Sequence, residues 1–169
     1  MKATPQVKKD KVIAALGEAR CKIMEAAAAL PPAKQDEVFL GVWSVQDLLA
    51  HLVGWDDTNL AAVQEILAGQ LPSFYAHHDR DWRTFNAGLV AQYKREMAAL
   101  LASMQDSHRR LVDFLRTVPA EEFGRDRGLR FRGYKVTIAR LLQAEASDEE
   151  VHYKQIQAWL HPPKQEGGA

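Results

Sequence analysis

His51 and His152 are the residues of this chain whose type and setting best suit chemistry. His51 lies in Trp43-Ser44-Val45-Gln46-Asp47-Leu48-Leu49-Ala50-His51, and His152 follows Asp148 by four residues. A helix stacks residues four apart on one face, so Asp148 and His152 present together. Two imidazoles and one carboxylate form a recognised donor set for zinc, nickel, manganese or iron that leaves positions open for water or substrate. Glu145, one turn before Asp148 on the same stripe, could add an oxygen ligand or act as a catalytic general base. Several buried carboxylates without a cation would be costly, which argues for a metal among them. Trp55 and Trp159 are expected to wall the substrate pocket.

Four helices have to position these groups. The first carries Val12, Leu16, Ala19, Ile23, Ala27 and Leu30 at helical spacing until Pro31-Pro32 stops it. Ser44 with Asp47 forms a capping box, and Trp43 can staple onto Leu48, so the second helix starts near Val45. It runs to Ala68 and ends at Gly69, with Pro72 beyond. A third helix is expected from about Gly88 to Val118, with Leu89, Tyr93, Met97, Leu101, Met104, His108, Leu111 and Leu115 inward. The fourth begins near Lys135 and places Ile138, Leu141, Leu142, Glu145, His152, Ile156 and Trp159 inward. Almost no strand is expected.

Connection lengths set the topology of this all-α four-helix bundle. The stretch from Gly69 to Ala87 is long enough to cross the bundle, which makes helices two and three parallel and helices two and four antiparallel. His51 is then about 10 Å from the start of helix two and His152 about 12 Å from the end of helix four, at the same level. His108 falls near the other end by the same arithmetic. Residues 1–163 form one domain, and 164–169 a mobile tail.

Composition removes other classes. The chain has 169 residues, with 22 basic and 22 acidic side chains and no net charge. That balance gives no bulk attraction to nucleic acid or to a membrane surface, and neither partner is expected. No apolar stretch suits a membrane span or a signal peptide, so a cytoplasmic location is expected. Cys21 is alone, on the side opposite the apolar stripe, and nothing marks it as activated. Glycine-rich phosphate loops, GxSxG, CxxC and HExxH are missing, leaving nucleotide, flavin and serine-hydrolase chemistry unsupported. His77-His78-Asp79 sits in the crossover, where Phe74, Tyr75 and Trp82 could form an aromatic lid. Arg125 to Lys135 is a basic and aromatic cluster, expected as a solvated loop or an anchor for an anionic substrate.

Trp43-Ser44, Asp47, Ala50-His51, Trp55-Asp56, Gly69 with Pro72, Asn86, and His152 with Ile156 and Trp159-Leu160 together resemble the DinB/YfiT superfamily, over nearly the whole chain. Within it the chain is most similar to the ClbS/DfsB-like branch, grouped with colibactin self-resistance proteins. The resemblance implies a divalent metal held by a histidine on helix two and a histidine pair four apart on helix four. Carried over, these are His51, the position of Asp148 and His152, with aspartate replacing histidine in the middle. It implies a protective or detoxifying enzyme, a metal-dependent thiol transferase or hydrolase acting on an electrophile, with a low-molecular-weight thiol as a possible cosubstrate. The branch implies instead a metal-free hydrolase or sequestering protein, and a non-catalytic ligand-binding dimer is the third reading. A homodimer is expected in either case.

Overall fold

Local capping explains where three of the long helices begin in the computed structural model, which describes residues 3–78 and 80–162. The expected tail, 164–169, lies outside these residues. In helix α1, Pro5–Ala28, Thr4 accepts a hydrogen bond from the Val7 N–H at 3.3 Å, with proline in the first turn. Helix α2, Val45–Leu67, starts at the expected capping box: the Ser44 N–H donates to Asp47 Oδ2 at 2.9 Å, and the Asp47 N–H to Ser44 Oγ at 3.3 Å. The last long helix, Ile138–Leu160, starts at Thr137, which accepts from the Arg140 N–H.

The expected third helix is two. Helix α3 spans Trp82–Tyr93 and α4 spans Met97–Thr117, with Lys94 and Glu96 extended between them. Lys94 donates to Asp47 Oδ1 at 2.7 Å, and the Arg95 guanidinium caps the carbonyls of Gln92 and Lys94. The Arg95 bonds satisfy two carbonyls left open at the break, and the Lys94 bond ties it to the start of α2. Leu89, Tyr93 and Met97 keep helical spacing across it, so the apolar pattern hides it. A short helix α5, Ala120–Phe123, follows, and the final helix is therefore α6.

Strand structure among the described residues is confined to two antiparallel hairpins. Val38–Leu40 (β1) pairs with Trp43–Ser44 (β2), and Arg130–Phe131 (β3) with Tyr134–Lys135 (β4). The second turns through Arg132 and Gly133, both at positive φ.

Side-chain pairings fix the directions. Lys94 meets Asp47, Ser107 meets Asp56, and Arg110 meets Asp57, so α2 and α4 run parallel. His51 lies beside His152, while Asp56 and Glu149 share Arg20, so α2 and α6 run antiparallel, as expected. The crossover is largely helical: a turn at Ser73–His77 leads into α3, which returns along α2 from Trp55 toward Asp47. The apolar core falls into two clusters. One surrounds Leu16, Val63, Leu111 and Leu142, the other Ile23, Leu48, Leu100 and Ile156.

α3 approaches α2 closely at Gly54, where an added Cβ would stand 2.9 Å from Leu89 Cβ. Helix propensity alone favours alanine there by about 1 kcal/mol. Gly54→Ala should nevertheless lower stability by about 1–3 kcal/mol, because Leu89 Cβ moves only with its backbone. Urea unfolding would read this as a lower midpoint at unchanged slope, and an equal or higher midpoint would show that α3 yields freely.

Candidate functional site

Two faces, one on α2 and one on α6, enclose a cavity of about 380 Å³. His51, Trp55 and Asn59 recur every fourth residue on α2, and Glu145, Asp148 and His152 line the α6 side. The crossover supplies the remaining wall, with Phe74, Tyr75, His78 and Trp82, and Lys135 and Arg140 stand at the rim. Trp55 is packed edge-on to Phe74 and close to Trp82, with centroids 5.3 and 5.2 Å apart, and its Nε1 donates to Asn86 Oδ1. The aromatic lid foreseen for Phe74, Tyr75 and Trp82 is thus part of the lining.

The two histidines meet: their ring centroids are 5.8 Å apart at 84°. Trp43 packs on His51 at 4.8 Å. Burial, and then the neighbouring His152, lower the His51 pKa to about 3, so its ring is neutral. Burial likewise lowers His152, opposed by Gln155 and Asp148. Gln155 Oε1 lies 2.8 Å from His152 Nδ1, so this nitrogen donates and Nε2 carries the basic lone pair.

Glu145 lies buried, where desolvation and then the charge of Glu149 raise its pKa to about 8. It is mainly a neutral carboxylic acid at neutral pH. Asp148 is exposed at the rim, and partial burial raises its pKa while His152 opposes the shift. Among the described residues, no three His, Cys, Asp or Glu side chains converge as metal ligands. His51 and His152 are brought together, whereas Asp148 stands at the rim and does not converge with them as a third ligand. Trp159 is elsewhere: it packs on Phe39 at 5.2 Å and carries Lys34 Nζ over its ring.

The sequence reading overlooked the charged layer behind the cavity. Arg20, 2% exposed, donates to both Asp56 oxygens at 2.6 and 2.9 Å and to both Glu149 oxygens at 3.0 and 2.7 Å. Ser107 Oγ adds a bond to Asp56 at 2.5 Å. Burial opposes the Arg20 charge, but Glu149 and Asp56 outweigh it and hold its pKa above the ordinary value. Burial raises Glu149, with Arg20 opposing. The signal was available: Arg20 stands four residues after Leu16 and three before Ile23, squarely on the apolar stripe. His108, expected at the far end, lies beside this layer, where burial and then Arg20 lower its pKa to about 4, opposed by Asp56.

In the basic cluster, Arg125 and Arg127 pair with Glu122, and Arg130 and Lys135 pair with Asp126. His77 bonds Asp81 at 2.9 Å and stacks on Phe85. Asp79 lies outside the described residues.

Removing Arg20 would strand two buried carboxylates, so Arg20→Met should cost about 3–5 kcal/mol in urea unfolding. A loss under 1 kcal/mol would mean that the layer takes up water on demand. The pH dependence has two limbs. Glu145 rises from 4.5 to about 8 on folding, so its contribution is complete below the lower value and is lost as pH climbs toward the upper. His51 falls from 6.5 to about 3, so its contribution is complete above the upper value and is lost on acidification toward the lower. Stability should therefore peak on the acid side of neutrality, and Glu145→Gln should flatten the alkaline decline. An unchanged decline in that variant would reassign it to other groups.

Comparison with known proteins places these features. The colibactin self-resistance protein ClbS, in complex with a dsDNA, has the same fold, with a TM-score of 0.73 at 17% identity over 91% of this chain and 96% of that one. An uncharacterised protein from Escherichia coli UTI89 matches with a TM-score of 0.67 at 18% identity over 89% and 91%. No curated protein matches the chain. The ClbS complex overturns the expectation of no nucleic-acid partner: net charge averages over the whole surface and does not report how charge is arranged locally. Among the described residues, no helix is long and apolar enough to cross a membrane. The profile of the DinB superfamily matches residues 15–156, and the chain belongs to that superfamily.

Proposed function

We propose that this protein is a metal-free protective enzyme that admits a small electrophile to the aromatic pocket and adds water to it. The observation that carries this reading is a buried carboxyl, Glu145, lining the same pocket as His152, where burial and the charge of Glu149 favour the neutral acid and burial favours the neutral imidazole. Such a pair divides acid and base roles between two groups whose environments separate them. Glu145 serves here as the acid rather than as the base or ligand expected from its position.

The step balances. Water attacks the electrophilic carbon and gives a proton to His152 Nε2. The bond from that carbon to its leaving atom breaks, and the leaving atom takes the proton of Glu145. Solvent then returns a proton to Glu145 and removes one from His152. The fold shared with a self-resistance protein held on dsDNA supports a protective purpose, with DNA as the target spared.

Styrene oxide, a neutral strained-ring electrophile with one aromatic ring, is a suitable probe, with diol formation followed by chromatography. Wild-type protein should hydrolyse it, and Glu145→Gln and His152→Ala should each lose about 10²–10⁴-fold in kcat. kcat/KM should fall as pH rises through about 8, where Glu145 gives up its proton. Elemental analysis should find no stoichiometric metal, and chelation should leave the rate unchanged. Activity lost on chelation and restored by zinc, nickel, manganese or iron would return the reaction to a metal site. Saturable binding without turnover would make the protein a sequestering one.

A further inference from the structure

The pocket floor offers more hydrogen bonding than the protein itself uses. Asn59 is 1% exposed and lines the cavity, yet neither its Nδ2 nor its Oδ1 meets a partner. His51 Nδ1, buried in the same lining, is unmatched as well. The Asn59 amide stands near the Glu145 carboxyl and favours its ionised form, opposing the rise in its pKa, but the two groups do not meet in hydrogen-bond geometry. Buried polar groups are seldom left unpaired, and each such group calls for an explanation. Asn59 lies one turn beyond Trp55 on the same face of α2, and Trp43, Trp55, Tyr75 and Trp82 line the same cavity.

These observations select a ligand by shape and polarity. A carboxamide presents one donor and one acceptor side by side, and its natural complement is another planar amide. At the floor an anion is disfavoured, because Arg20, the cation behind it, is already held by two carboxylates and the other cations of the lining, Lys135 and Arg140, stand at the rim. The cavity exceeds what one bridging water would need, and its walls are largely aromatic.

We propose that the pocket recognises a planar carboxamide or ring amide, whose N–H donates to Asn59 Oδ1 and whose carbonyl accepts from Asn59 Nδ2 while the ligand plane lies against the aromatic walls. This rests on the pocket being where the reactive molecule is taken up, and it names the group by which that molecule is held. Asn59 is then the residue that sets specificity.

Benzamide, acetophenone, N,N-dimethylbenzamide and benzoate test it by titration calorimetry on the full chain. Benzamide should bind wild-type protein about tenfold or more tightly than the other three, which lack the N–H or carry charge. Asn59→Leu should erase that preference, weakening benzamide by about tenfold while changing acetophenone less than about threefold. The wild-type probe series decides the matter even if the leucine variant fails to fold. Equal affinity for all four probes, binding of none, or a preference that survives Asn59→Leu would overturn the proposal. Epoxide hydrolysis dependent on Glu145 but without an amide preference would sink this inference alone. An amide preference with no turnover would keep it and sink the enzymatic reading.

Discussion

A single buried guanidinium organises this bundle. Arg20 of α1 reaches Asp56 of α2 and Glu149 of α6 with paired bonds to each, and Ser107 of α4 completes the layer through Asp56. All four long helices therefore meet at one polar level, and the apolar clusters lie to either side of it. Hydrophobic packing is tolerant of sliding, whereas a one-turn slip here would leave a buried charge unpaired. The layer acts as a register pin, and the alignment of His51 with His152 follows from it.

The same layer sets the chemistry of the cavity. Glu149 is occupied with Arg20 on one side, yet its charge still reaches Glu145 one turn away and helps keep that acid neutral. Burial among the tryptophan and tyrosine walls, and then the neighbouring His152, leave His51 uncharged. A neutral acid and neutral bases in one pocket suit proton exchange with an uncharged molecule better than the binding of a free ion.

The bundle, its parallel and antiparallel pairs and the adjacency of His51 and His152 were legible because they depend on periodicity, caps and loop length. Trp55 was placed in the pocket for the same reason. The break at Lys94 to Glu96 was not, since Leu89, Tyr93 and Met97 keep step across it and the cause is a set of hydrogen bonds to distant or backbone partners. Asp148 and Trp159 show the limit of a helical stripe: a residue near its edge faces inward or outward according to what packs against it. Asp148 ends at the rim, and Trp159 turns to Phe39. Arg20 was readable as a polar residue in an apolar position, but its partners lie on other helices and only the assembled fold joins them.

The crossover from Ser73 to Tyr93 supplies aromatic lining while standing apart from the Arg20 layer. It is bounded by Gly69 on one side and the Lys94 to Glu96 break on the other. The scaffold thus separates two constraints: the segments that align the bundle are held by charge, whereas the roof is held to α2 by the packing of Leu89 on Gly54 and by the Asn86 and Tyr93 hydrogen bonds. Descendants of such a chain could vary the aromatic lining of the roof and acquire new ligands while keeping its few points of attachment to α2.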